Sequence, residues 1–410
     1  MKISKYRSIA LGACVALVAA AVGVAPAMAD ETAGGEDATV VVGGSSAASA
    51  SRLLPEDAKA LAEDLKISEE AAQRQFAGQQ EFLEALTKAI ESVPDRYASS
   101  EWGAVGESSA WVSFTGAEDS KVADLFADLP VKVEVRFGAK LSEAEAEEIR
   151  HEAMSELLAT GTFSQLVGET DPTAGSVRIQ YELKDGEVAD SVIARAVSAV
   201  VKSSEKAEID VVEATEDIST DPELIRGGTS ISGCTAGFNI RILGSPQYKG
   251  FVTAAHCPNA AGTPSGSTYG TVHRGQHAGA YGEVQKHSSS DPLIGNTIII
   301  APSSYRSITS VVYPSAGQSI CNYGKTRSAH SCTTVRQVGL AFYANIDGTS
   351  TYISRMVQSN GAFTNPGDSG GPWFVNNSAV GIHYGKFGGY STFSQAGFAQ
   401  SVLSIAIITG

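Results

Sequence analysis

Two short strings in the C-terminal part of the chain carry residue types that could do covalent chemistry. Gly367-Asp368-Ser369-Gly370-Gly371 sets a serine in a turn whose glycines let the backbone bend sharply and expose two N–H groups. Thr253-Ala254-Ala255-His256-Cys257 sets a histidine after a short apolar run, with small residues to pack beneath it. Alone, each string is weak: GDSG also makes ordinary β-turns, and a single histidine is more often structural. Together, in a stretch rich in short strands, they point to acyl transfer. A serine hydroxyl is a poor nucleophile at neutral pH, so it needs an imidazole within hydrogen-bond reach, and the imidazole needs a buried carboxylate behind it.

The rest of the chain divides around residue 226. At 410 residues it exceeds one ordinary domain. Lys2, Lys5 and Arg7 precede an apolar run over 8–25, and Ala27-Met28-Ala29 offers small residues for cleavage, so residues 1–29 read as a signal peptide. Residues 30–52 are Gly/Ala/Ser-rich and read as a leader. Over 55–93 Phe76, Leu83, Leu86, Ile90 and Val93 keep to one helical face. A second helix is predicted over 141–159, with Ser142 and Glu145 at capping-box spacing and Gly161 as a stop. Val131, Val133 and Val135 alternate with Lys132, Glu134 and Arg136 as a half-buried strand does, and 177–183 and 209–212 are strand-like too. Residues 30–226 thus read as a leader and an α+β unit.

From Gly227 onward charge becomes scarce and short Val/Ile/Tyr/Phe runs alternate with glycine turns, the pattern of an all-β domain, with a terminal helix at about 396–407. This part holds 10 Lys/Arg against 4 Asp/Glu, a net of +6, whereas residues 1–226 hold 20 against 41, a net of −21. Two parts of opposite sign attract, as a pro-segment folded on its enzyme would need. Four cysteines, Cys234, Cys257, Cys321 and Cys332, all fall in the β-rich part, where export makes disulfides the default reading. No zinc-type Cys pair or His-rich ligand cluster accompanies them, so neither a metal nor an organic cofactor is expected.

With both motifs in place, residues 227–410 resemble the chymotrypsin-like serine peptidases, and most closely their bacterial streptogrisin and α-lytic protease branch; the acidic part resembles that branch's long pro-region. The resemblance implies two antiparallel β-barrels, at about 227–310 and 311–410, with the active site in the cleft between them. It gives Ser369 the attack, His256 the proton transfer, and the N–H groups of Gly367 and Ser369 the oxyanion hole. Only Glu283, Asp291, Asp347 and Asp368 are carboxylates after residue 226. Asp368 belongs to the serine turn, Asp347 reads as a hairpin turn, and Glu283 reads as a solvated partner of Lys286. Asp291 remains, in the family's His, Asp, Ser order, and is the expected third member.

The family also implies the pairings Cys234–Cys257 and Cys321–Cys332. A third bridge, which relatives often place just before the serine turn, is absent from this sequence, so 360–366, the wall of the specificity pocket, is expected to be looser. The strand holding His383, Tyr384, Gly385 and Lys386 resembles the one on which substrate backbone pairs. His383 stands where glutamate-specific relatives contact a substrate carboxylate, with Lys386 to reinforce it; a packing histidine is the other reading. Tyr384 replaces the usual Ser. His273, His277, His287 and His330 are expected at the surface.

The expectation is a secreted, monomeric endopeptidase that cleaves polypeptides, binds no nucleic acid and, once the signal is removed, no membrane. Its pro-region, cut near Arg226, would act as folding catalyst and inhibitor. The alternative is a catalytically inactive peptide-binding module on the same fold, which Tyr384 and the weak setting of Asp291 would favour.

Overall fold

Alternation of valine with charge over Lys132–Ala139 builds a strand in the computed structural model: Val133 and Val135 are buried while Lys132 and Glu134 face solvent. The structure describes residues 38–44, 50–103, 109–183, 197, 200, 206–213, 229–231, 233–244, 248–260, 270–290, 294–302, 304–346 and 348–409. The expected signal peptide, Arg226, Asp291 and Asp347 lie outside them.

The apolar stripe over 55–93 folds as three helices, Pro55–Leu65, Glu69–Gln75 and Gln79–Ser92. The third of them packs Phe82 on Trp102 of a four-stranded sheet ordered Ala38–Gly43, Lys132–Ala139, Ser109–Thr115, Tyr97–Trp102, while the first lies against the strand Ala329–Ile346. The predicted second helix is Glu143–Ala159, and the reciprocal capping box of Ser142 and Glu145 is formed.

The β-rich part holds two principal sheets. Thr271–Gly279, Gly282–Ser289, Lys249–Thr253, Asn239–Ile242 and Ile405–Ile407 form the first, in that order. The last of these shows that the chain end returns to the first sheet, which a division at residue 310 does not foresee. The expected terminal helix is correspondingly shorter, Ala396–Leu403, ended by Ser404 in the left-handed region at φ 50°. In the second sheet Ser319–Gly324, Pro372–Val375, Ser378–Phe387, Tyr390–Gln395, Thr349–Ser359 and Ala329–Ile346 are successive neighbours. Ala329–Ile346 pairs again with Ser319–Gly324, so these six strands close on themselves.

The same sheet runs on into the acidic part. Phe163–Asp171 adds to the edge of Ala329–Ile346 through Gly168 opposite Ala341 and Val167 opposite Phe342, and Ser176–Leu183 and Glu208–Glu213 follow. Opposite charges of the two parts also meet as ion pairs. Arg306 donates to both carboxylate oxygens of Asp57, at 2.7 and 3.0 Å, and to Glu56 at 2.8 Å. Arg355 donates to Glu143 at 2.9 Å. Arg306 and Asp57 are both buried, so salt screens their attraction little.

Both disulfides form as the family resemblance implies, Cys234–Cys257 and Cys321–Cys332. The segment expected to be looser is tied down by other means. Thr364 and Ser391 share a hydroxyl contact of 2.8 Å, Ser359 Oγ donates to the Gly361 carbonyl at 2.8 Å, and Asn360 Nδ2 donates to Thr334 Oγ1 at 2.7 Å.

Candidate active site

The serine turn is held by main-chain hydrogen bonds, one within it and two to His383. Gly371 N–H donates to the Asp368 carbonyl at 2.8 Å, Gly370 N–H to the His383 carbonyl at 2.8 Å, and His383 N–H back to the Gly371 carbonyl at 2.9 Å. Asp368 is buried and turns inward, accepting from the N–H groups of Thr326 at 3.0 Å and Asn365 at 2.8 Å. Gly324 leaves the room for it, since a Cβ there would sit 2.1 Å from Asp368 Cγ. These contacts agree with the reading that gave Asp368 to the turn.

Two contacts bring the histidine motif to the serine motif. Gly370 has φ +85°, and a Cβ on it would lie 2.0 Å from Thr253 Oγ1, the residue that opens the histidine string. Thr235 links both: its N–H donates to the Ser369 carbonyl at 2.7 Å, while its own carbonyl accepts from Thr253 Oγ1 at 2.8 Å. Beside it, the Cys234–Cys257 bridge fastens the residue after His256.

Ser369 is buried, and its hydroxyl donates to the Tyr384 carbonyl at 3.2 Å. The Tyr384 ring stands edge-on to His256, with centroids 5.4 Å apart and planes at 82°. One residue thus touches both members of the pair. Among the described residues, Nε2 of His256 is buried without a hydrogen-bond partner. In this arrangement the hydroxyl lies on the Tyr384 carbonyl while the imidazole packs on the ring of the same residue.

Behind the ring the structure overturns the reading of Glu283 as a solvated residue. The carboxylate on Nδ1 of His256 is that of Glu283, with Oε2 at 3.2 Å, and the same oxygen accepts the His256 backbone N–H at 2.9 Å. Glu283 is fully buried and is not the solvated partner of Lys286, whose ammonium instead donates to the Leu403 carbonyl. Asp291 lies outside the described residues. The strand pairing explains what the sequence concealed. Thr253 lies opposite Gln285, so continuing the antiparallel register carries the histidine turn over Glu283. Glu283 and Gln285, two residues apart, share one face of the strand.

His383 is buried beside Trp373 and Phe393, and its Nδ1 accepts from Trp373 Nε1 at 3.3 Å, which leaves the ring proton on Nε2. Gly385 and Lys386 follow on the same strand, opposite Thr392 and Ser391. Tyr384 packs against Phe342 and belongs to a cluster that includes Val167 of the acidic part. Of the four histidines expected at the surface, His287 is fully buried and stacked on Phe251 at 5.2 Å, with burial and His273 pushing its imidazole down to about 4. His330 is also largely covered, 3.3 Å from Asp57.

The Trypsin family profile matches residues 244–406. Serine protease 2 of Streptomyces fradiae is 31% identical over 179 residues, which is 41% of this chain and 98% of that protein. Glutamyl endopeptidase 2 of Streptomyces griseus is 31% identical over 182 residues, 42% of this chain and 90% of that protein. Among solved structures, a glutamic acid-specific serine protease aligns over 45% of this chain and 97% of its own at 25% identity, with a TM-score of 0.36. A relative matched almost end to end, together with the paired serine and histidine turns, identifies the chain as a member of the trypsin family of chymotrypsin-fold serine proteases, with streptogrisin-like relatives.

Proposed function

We propose that the chain hydrolyses peptide bonds through an acyl-enzyme on Ser369, with His256 carrying the proton from the nucleophile to the leaving amine and the N–H groups of Gly367 and Ser369 receiving the oxyanion. The observation that carries this reading is the convergence of Ser369 and His256 on Tyr384, with Nε2 of the imidazole buried and unbonded among the described residues. Residues 1–29 would direct export and be removed, and the acidic part would fold the protease and block it until cleavage near Arg226. Edge-strand addition and buried ion pairs support that role for the acidic part, because they give it an extended interface with the protease part.

An acidic residue before the scissile bond is the preferred substrate in this reading. His383 is hydrogen-bonded through its backbone to the serine turn, and its Nδ1 accepts from Trp373, which sets the ring proton on Nε2. The relative named as a glutamyl endopeptidase points the same way. Profiling cleavage of a peptide library is expected to favour Glu over Leu at that position, and His383→Leu is expected to remove the preference while cleavage after Leu persists. Equal cleavage after both residues by the unaltered enzyme would set the acidic preference aside.

One observation favours the alternative of a binding module: the Ser369 hydroxyl lies on the Tyr384 carbonyl and not on His256. A module of that kind would bind the library peptides and leave them whole.

A further inference from the structure

The geometry points to Glu283 as the residue that positions His256 for catalysis, in place of an aspartate between this strand and the serine. The inference rests on the acyl-enzyme reading and adds the identity of the carboxylate.

Register comes first. Lys249–Thr253 and Gly282–Ser289 are antiparallel neighbours with Thr253 opposite Gln285. The histidine turn that follows Thr253 therefore lies over the start of the second strand. Two buried side chains from one face of that strand brace it in complementary ways. Gln285 Nε2 donates to the carbonyls of Ala254 at 2.8 Å and Cys257 at 2.7 Å. Glu283 Oε2 takes the His256 N–H at 2.9 Å and faces Nδ1 at 3.2 Å. The first residue satisfies the acceptors of the turn and the second its donors.

A purely structural brace would need only the backbone contact. The Nδ1 contact adds a chemical consequence: a carboxylate has no proton to give, so Nδ1 must donate, and the lone pair of the neutral ring falls on Nε2, the atom that a base needs. Glu283 is itself fixed, because its N–H donates to Ser394 Oγ at 3.0 Å and its carbonyl accepts from the same hydroxyl at 3.2 Å. Tyr384 stands edge-on to the imidazole, 5.4 Å away, and packs beside it. Among the described residues, Oε1 of Glu283 is buried without a hydrogen-bond partner. A carboxylate so desolvated is stabilised most when the ring in front of it becomes positive, which happens as the serine proton is transferred.

The test compares Glu283→Gln with Asp291→Asn in enzyme recovered from the full chain, with rates referred to titrated serine. Glu283→Gln is expected to lower kcat about 10⁴-fold, the loss serine peptidases in general show when the orienting carboxylate becomes an amide, with KM within about threefold. Asp291→Asn is expected to stay within about twofold of the unaltered enzyme. An independent readout uses Ser369→Ala full chain carrying ¹⁵N-histidine: a strongly deshielded Nδ1 proton on His256 is expected, retained with Asp291→Asn and lost with Glu283→Gln. Should Glu283→Gln fail to fold, Glu283→Asp, which withdraws the charge by one methylene, is expected to shift or abolish that signal. A large kcat loss from Asp291→Asn, or a deshielded proton that survives changes at Glu283, overturns the inference. If the unaltered enzyme titrates no serine, the acyl-enzyme reading falls instead, and the Nδ1 proton alone decides the carboxylate.

Discussion

The serine turn and the histidine turn lie in contact, yet they are built differently. Around Ser369 most of the bonds run main chain to main chain: Gly371 N–H closes on Asp368, Gly370 N–H and the Gly371 carbonyl both bond His383, and Thr235 N–H bonds the Ser369 carbonyl. Around His256 the backbone is shaped by side chains from another strand, Glu283 and Gln285, and by a disulfide to Cys234. A turn of the first kind depends on what atoms are missing, and a turn of the second kind on what atoms arrive from a distance. The difference sets which substitutions each can survive.

The largest effect in the serine turn is expected at Gly370. A methyl group there meets Thr253 Oγ1 at 2.0 Å and the Thr235 carbonyl at 2.3 Å, on a backbone at φ +85°. Neither neighbour is the end of a long flexible side chain, so Gly370→Ala in a Ser369→Ala chain should cost at least about 3 kcal/mol in urea unfolding. Gly244 has φ +80° with nothing within 4 Å of the added carbon, and Gly244→Ala should cost only about 1 kcal/mol. Equal costs at the two glycines would mean that the close approach between the motifs contributes nothing.

A smaller effect sharpens the histidine side. His287 lies on the same strand as Glu283 and Gln285, is stacked on Phe251 and opposite His273, and among the described residues neither of its ring nitrogens has a hydrogen-bond partner. Its folded pKa is pushed down to about 4 from an ordinary 6.5. Between those values the unfolded chain binds the proton and the folded chain does not, so this contribution to stability is full above pH 6.5, declines as pH falls, and levels off below about 4. Thermal unfolding of the Ser369→Ala chain across that range is expected to show the decline, and His287→Phe to diminish it. An unchanged slope in the variant would place the pH dependence elsewhere.

The same contrast explains what could be read before folding. The serine turn was legible because its determinants are contiguous: glycines, an aspartate and a serine in five residues. The disulfides and the capping box at Ser142 and Glu145 followed from local spacing or from family resemblance. Glu283 was misread as solvated because its burial depends on register with Lys249–Thr253, and no local pattern gives register. His287 was misplaced at the surface for the same reason. The return of Ile405–Ile407 to the first sheet is likewise a long-range pairing, with Ile240 opposite Ile407, that composition does not announce.

Active-site labelling bears most directly on the claim that Ser369 and His256 act as one unit. Enzyme recovered from the full chain is treated with a sulfonyl fluoride at neutral pH and the adduct located by peptide mass spectrometry, beside His256→Ala. The account predicts stoichiometric modification of Ser369 alone, slowed by orders of magnitude in His256→Ala. A folded, processed protein that stays unmodified at Ser369, or is modified equally fast without His256, would contradict it.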